Sequence, residues 1–463
     1  MSVPKPKVVR AGAVRARKVR GNGEDGDMGK QGVRGGRSLV VSKRPAGNQL
    51  ALAPNRRKDV PPERKLTVAG LFAGVGGIEL GLHRAGHETA LLCENEPGAV
   101  EVLSTHFRGV PLHSDVCTLG ALPPEVNLVT AGFPCQDLSQ AGKTAGIEGA
   151  RSGLVGEVFR LVEQRPTRWI LLENVPFMLQ LSKGRAMEVI IAALERLEYR
   201  WAYRVVDSRA FGVPQRRERV YLLASRTEDP RTVLFADDEG EPKEFKWSRS
   251  RAFGFYWTEG TRGLGAAVEA VPTLKGGSTI GIPSPPAIVL PSGQIVTPSI
   301  RDAERMQGFP LDWTVPTSNV TRPSHRWKLV GNAVTVNVAE WIGDRLVTPG
   351  SYDDSGDTRL RPETSPWPRA AYNVGAGRFI AAVSAYPRHV EREPLHKFLE
   401  QPRQLLSAKA TRGFYGRAKA SSLNFPPGFL EAVKAHLDRM EHAAAHATDA
   451  EATSEAEDSQ AVA

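Results

Sequence analysis

From Leu66 to about Ser225, short runs of apolar and β-branched residues alternate with stretches whose apolar residues recur every three to four positions. The runs predict buried strands, and the periodic stretches predict amphipathic helices packed over them. Strands are expected at Leu66–Leu71, Thr89–Cys93, Leu128–Ala131, Trp169–Leu172 and Arg219–Ala224. The clearest helix runs from about Arg185 to Leu197, with Met187, Ile190, Ile191, Leu194 and Leu197 on one face. Such alternation predicts an α/β fold, a doubly wound, mostly parallel, Rossmann-like sheet with helices on both faces.

The rhythm stops near Arg226. Over residues 226–296, Gly, Pro, Ser and scattered aromatics take over, which predicts a smaller, irregular lobe. Helical patterns return at Ile300–Met306 and Val334–Leu346, so residues 297–349 are expected to rejoin the first domain (66–225). A polar linker (350–369), a small module (370–440) and a disordered acidic tail (441–463) complete the expected order. The module ends in an amphipathic helix carrying Phe429, Leu430, Val433, Leu437 and Met440, started by Pro426-Pro427.

Charge adds a further segment. Residues 1–65 hold 17 Lys and Arg against 5 Asp and Glu, a surplus larger than the net +10 of the whole chain. With few large apolar residues, this stretch is expected to be disordered, either simply solvated or held against phosphates. Three cysteines exclude a disulfide framework and suggest a reducing compartment. His442 and His446 lie one turn apart without a further ligand, so no metal is expected. No apolar run reaches spanning length, and a cytoplasmic protein without membrane association is the expectation.

Candidate chemistry gathers where strands end. Asn127–Ala131 runs into Gly132-Phe-Pro134-Cys135-Gln136, which leaves one thiol on a loop at a carboxyl end, where doubly wound sheets bind ligands. Cys135 could be a nucleophile or a small buried hydrophobe. The first strand leads into Phe72-Ala-Gly74-Val-Gly76-Gly77, a nucleotide-binding turn or a plain tight one. Glu94 ends the second strand, placed for ribose hydroxyls or for a helix N-terminus. Asp115 could meet an adenine amino group or cap a helix. Glu173-Asn174 ends another strand, and a carboxylate there needs a polar partner. Gln215-Arg-Arg217-Glu-Arg219 precedes a buried strand, and Gly331-Asn332 forms a turn expected to open a helix.

Together these blocks, in this order, resemble the DNA (cytosine-5)-methyltransferase family, prokaryotic or phage type, over Leu66 to about Leu346. The resemblance implies an AdoMet-dependent methyltransferase sheet with a target-recognition lobe. Phe72, Gly74, Gly76, Gly77, Glu94, Asp115, Pro134, Leu154, Asn332 and Val334 would hold S-adenosyl-L-methionine. Cys135 would add to C6 of a flipped-out cytosine, Glu173 would hold its N3/N4 edge, and Arg217 and Arg219 would hold the base carbonyl and support the thiolate. Gln136 and Thr273 would contact the DNA, and Gln307-Gly-Phe-Pro310 would be a packing block. Asn127, Asn95, Asp302 and Glu304 depart from the family's pattern.

The implied partner is double-stranded DNA, with the protein expected to be a monomer and nucleoid-associated through that binding. A cognate restriction endonuclease encoded nearby, in a restriction-modification or related defence system, is a candidate companion. An RNA cytosine methyltransferase is disfavoured by the sizeable lobe and the Pro-Cys-Gln form. A non-catalytic DNA-binding regulator is disfavoured by the presence of Cys135, Glu173, Arg217 and Arg219. The Arg and Lys residues around Trp367, Tyr372, Tyr386, Phe414 and Tyr415 could form an accessory DNA face, or the aromatics could simply be a core.

Overall fold

The computed structural model describes residues 60–134, 153–243, 246–261, 263–276, 284–361 and 364–461, with side chains up to residue 446. The basic segment 1–59, residues 135–152 with Cys135 and Gln136, and residues 277–283 lie outside the described residues.

Along the chain come β1 (Thr67–Leu71), α1 (Gly77–Arg84), β2 (Glu88–Cys93), α2 (Pro97–His106), β3 (Leu112–His113) and β4 (Leu128–Ala131). Next are α3 (Leu154–Gln164), β5 (Trp169–Asn174), α4 (Arg185–Arg196), β6 (Arg200–Asp207), β7 (Gln215–Arg216) and β8 (Glu218–Ser225). Strands β3-β2-β1-β4-β5 pair in parallel in that order, as the alternation predicts. Their side chains divide with period two between two cores. Ala69, Leu71, Val129, Ala131, Ile170 and Leu172 face α3 and α4. Val68, Leu128, Trp169 and Leu171 face the other layer, with Ile78 and Leu82 of α1. Burial on both faces is why these strands read as continuous apolar runs.

Beyond β5 the sheet turns antiparallel through β8 and β6, further than the apolar pattern indicates. β6 has no counterpart among the expected strands. Its residues Trp201, Tyr203 and Arg204 are fully buried, and Arg204 satisfies its charge on Asp238 at 2.7 Å and on three main-chain carbonyls.

The irregular lobe contains β9 (Phe253–Phe255), β10 (Ala267–Val268), β11 (Val271–Pro272), β12 (Ala287–Val289) and β13 (Ile295–Thr297). α5 (Ile300–Met306), α6 (Arg326–Asn332) and α7 (Val336–Val347) follow; α7 packs on the catalytic layers, whereas Ala303 and Met306 of α5 and Val330 of α6 pack with Val271, Leu274 and Ile288 of the lobe. Ser299 and Asp302 form a reciprocal cap that starts α5. Gly331-Asn332 closes α6 rather than opening a helix; α7 starts at Val336.

The chain after residue 349 departs most from expectation. The linker contains β14 (Thr358–Arg359) and buries Trp367 in the core. β15 (Ala370–Asn373) and β16 (Arg378–Ile380) extend the central sheet, β15 pairing with β6. β17 (Gln404–Leu405) instead pairs with β13, and α8 (Ala408–Lys419) and α9 (Phe429–Ala461) pack on the recognition sheet. Residues 370–440 are therefore no separate module. Half is sheet edge, and half completes the recognition lobe, because Phe253, Phe255 and Ile295 need Phe414, Phe429 and Val433 to be covered. The acidic tail is likewise helical to Ala461.

Candidate active site

Register brings the chemistry together. Leu71 pairs with Cys93 and Ala131, and Ala131 pairs with Leu172, so four strands are level at their carboxyl ends. The residue after each is Phe72, Glu94, Gly132 and Glu173, and all four line one cavity of about 290 Å³. Gly74, Gly77, Asp115, Pro134, Leu154, Asn332 and Val334 line it too.

Each wall has a local cause. Glu94 accepts from the amides of Gly74 (2.8 Å), Asn95 (3.0 Å) and Glu96 (2.8 Å), which ties the glycine turn to the end of β2. The helix cap expected as the alternative role of Glu94 belongs to Glu96, which accepts from Ala99 N at 2.7 Å. Asp115 does cap a short turn, through Cys117 N at 2.9 Å, while it lines the cavity. Gly76 stays behind the wall, as the left-handed residue (φ 81°) that starts α1. Gly77 must be glycine, since a Cβ there would stand 2.6 Å from Val334 O.

Glu173 is buried, its Oε1 3.0 Å from Arg219 Nε on the neighbouring antiparallel strand. Burial raises its carboxyl above the ordinary range, and the charges of Arg219 and Arg217 pull against that rise. A Cβ on Gly132 would lie 3.4 Å from Glu173 Oε2, so the acid reaches over the start of the Gly-Phe-Pro loop. Asn174 fastens that loop, donating from Nδ2 to Phe133 O at 3.0 Å. Cys93 also lines the cavity, but burial pushes its thiol up to about 12, so it stays protonated and inert.

The match of the C-5 cytosine-specific DNA methylase family model covers residues 66–253 and 293–348, the strands and loops that build this site. The chain belongs to that family. It is an enzyme, a DNA cytosine methyltransferase. It is 48% identical over 390 residues to the type II methyltransferase M2.BsuMI of Bacillus subtilis (strain 168), covering 81% of this chain and 99% of that protein. It is 28% identical over 320 residues to the type II methyltransferase M1.ScrFI of Lactococcus lactis subsp. cremoris, covering 61% of this chain and 78% of that one. Among solved structures, the S. pombe Dnmt2 methyltransferase is 19% identical with a TM-score of 0.45, covering 61% of this chain and 98% of that one.

Two arginines expected side by side in the methyltransferase part company. Arg219 meets Glu173. Arg217 is fully buried and donates to Ala333 O (2.6 Å), Gly331 O (3.2 Å) and Leu274 O (3.5 Å). Its guanidinium, lowered by burial to about 9, brackets the end of α6 to the recognition lobe rather than lining the cavity. Thr273 also sits at that junction, donating from Oγ1 to Arg216 O at 2.9 Å. Gln307 is a packing residue, donating to Val330 O (2.9 Å) and Ala333 O (3.2 Å). The departure at Glu304 forms a buried hub for Arg326, Thr314 and the Asp312 amide.

Glu79 is a residue that the motif blocks do not single out. It is fully buried on the cavity wall, accepts from Thr130 Oγ1 at 2.9 Å, and leaves Oε2 without a partner. Burial pushes its carboxyl up to about 7. A signal exists in Gly70, in the middle of β1, where a Cβ would overlap the Glu79 carboxylate.

Proposed function

We propose that this methyltransferase modifies cytosine C5 at a specific sequence in duplex DNA, with Cys135 as the nucleophile, in a restriction-modification or related defence system. The observation that carries the reading is the Glu173–Arg219 pair, set level with the glycine turn and beside Gly132, three residues before Cys135 in the chain.

The cavity fits S-adenosyl-L-methionine. A Cβ at Gly74 would meet nothing within 4 Å, which leaves room beside the turn, and Glu94 and Asp115 present oxygens for ribose and adenine. Asn332 and Val334 form the opposite wall. The bound cofactor supplies an electrophilic methyl group. The protein's residues do the rest. Cytosine C5 is a weak nucleophile until a thiolate adds to C6, and Cys135, directly after Pro134 of the cavity wall, is the thiol for that addition. Glu173, with its proton held more tightly by burial, donates to or accepts from the N3/N4 edge as charge builds on the ring. Arg219 orients Glu173 and offers its positive charge beside the base. Once C5 has taken the methyl group, loss of the C5 proton to solvent and expulsion of the Cys135 thiolate restore the aromatic ring. A paired base cannot enter such a pocket, so the cytosine must leave the helix.

Arg217 supports this chemistry as a positioning residue, by fixing the wall that carries Asn332. The type II names of the relatives support the defence setting. Methyl transfer from labelled S-adenosyl-L-methionine to duplex DNA and to tRNA tests the reading, followed by mapping 5-methylcytosine in DNA of expressing cells. Methylation of duplex DNA at one short motif is expected. Methylation confined to tRNA would overturn it.

A further inference from the structure

The part of the recognition lobe supplied by the C-terminal segment carries a surface that the catalytic reading leaves unused. α8 buries Thr411, Phe414 and Ala418. The opposite arc, about a third of the helix circumference at 3.6 residues per turn, presents Lys409, Arg412, Gly413, Gly416, Lys419 and Ala420, all exposed. No acidic residue occurs in α8. Arg412 pairs with Glu441 of α9 at 2.8 Å, and among the described residues no ion pair engages Lys409 or Lys419.

The two glycines are the informative part. Glycine disfavours a helix interior, and nothing in the chain's own packing asks for it here. A Cβ on Gly416 would meet nothing within 4 Å, and one on Gly413 would meet only Arg417 Nη1, at 3.4 Å. Their effect is outward. They leave a shallow floor, edged by lysines, on which an anionic backbone can lie close to the helix.

A relay of contacts links α8 to the wall of the cavity. Arg417 of α8 donates to Trp257 O (2.8 Å) and Glu259 O (3.1 Å), and the Glu259 carboxylate holds Lys275. The next residue, Gly276, lies against Asn332, whose Oδ1 would be 3.2 Å from a Cβ there. Asn332 lines the cavity.

We propose that this arc of α8 holds a DNA phosphate backbone beside the target site, Lys409 and Lys419 supplying the charge and Gly413 and Gly416 the close approach. The proposal rests on duplex DNA being the substrate. A second copy of the chain offering an acidic surface is the competing occupant, and cation-edged glycines with no apolar side chain larger than Ala420 beside them fit phosphates better.

The test is equilibrium binding of the full-length protein to a long duplex of mixed sequence across a salt series. Wild type is compared with the double variant K409A/K419A and with Gly416→Leu. Loss of two phosphate contacts is expected to shrink the salt slope by about 2 and weaken binding roughly tenfold or more at low salt. Gly416→Leu is expected to raise the thermal midpoint, because the helix gains, yet to weaken duplex binding several-fold. That opposition separates a contact surface from a folding defect. Wild-type affinity and slope in both variants would overturn the α8 assignment alone. Absence of duplex binding by the wild type would overturn the substrate reading and this proposal with it. A change in oligomeric state by light scattering, with duplex binding unaltered, would give the arc to a second copy and overturn it too.

Discussion

The parallel half of the central sheet and the recognition lobe solve the same problem, covering apolar strands, by opposite means. In the first, strands such as β1, β4 and β5 are covered on one face by α3 and α4, near in sequence, and on the other by α1 together with α7, from far along the chain, so long helices pack on both faces. In the second, strands of two or three residues are covered by α8 and α9, more than a hundred residues downstream. The catalytic layers, held between long helices, carry buried polar groups at their edge, while the short strands of the lobe are closed by a segment that joins them only at the end of the chain. Damage should separate accordingly. Substitutions at the sheet edge should cost chemistry and spare the fold, and substitutions in the lobe core should cost stability and DNA affinity while sparing the cofactor cavity.

The largest effect is expected at the edge. Glu173→Gln should lower kcat by roughly 10²–10⁴, with cofactor affinity by calorimetry near wild type. Equal loss of cofactor binding would break the separation. In the lobe, Phe414 is fully buried between Phe255 and Phe429. Phe414→Ala should destabilise the lobe by about 3–5 kcal/mol, read as faster hydrogen exchange in β9, β12 and β13 with β1 and β4 still protected. Uniform loss of protection would mean the two regions unfold as one.

Glu79 sharpens the comparison from within the rigid half. The carboxyl titrates near its ordinary 4.5 in the unfolded chain and at about 7 in the fold, so the folded protein binds its proton more tightly. Its contribution is intact below pH 4.5 and is lost as pH rises to 7. Glu79→Gln should remove that slope and leave the variant more stable than wild type above pH 7, by about 3 kcal/mol at most. Denaturant melts across pH check this, and an unchanged slope would contradict it. The smallest effect is expected at the bracket between the regions. Arg217→Met leaves the carbonyls of Gly331, Ala333 and Leu274 without their donor and should cost about 2 kcal/mol, with KM for DNA rising more than kcat falls. A pure kcat loss would instead return Arg217 to the base.

What can be read from the chain follows the same division. The strands of the parallel half and the helix Arg185–Arg196 stand where periodicity puts them, because a strand buried on both faces and a long helix buried on one each leave a local signal. β6 is hidden by Arg204 and Tyr203, which are buried only because Asp238 and main-chain carbonyls receive them. The joining of β17, α8 and α9 to the recognition sheet leaves no local signal, since two-residue pairings carry no period. In the cavity, loop residues at strand ends are legible from motif order. Arg217 and Arg219 look alike in sequence, and only the direction of each side chain separates the bracket from the partner of Glu173.

Central to the account is a covalent bond from Cys135 to C6 of the target base. The direct measurement uses duplex DNA carrying 5-fluorocytosine at a mapped target, incubated with S-adenosyl-L-methionine, denatured, and analysed by peptide mass spectrometry. Fluorine at C5 blocks the proton loss that would release the enzyme. A denaturation-resistant complex mapping to Cys135, absent in Cys135→Ala, is the predicted result. A duplex whose unmodified counterpart is methylated efficiently, yet which yields no adduct at Cys135, would contradict it.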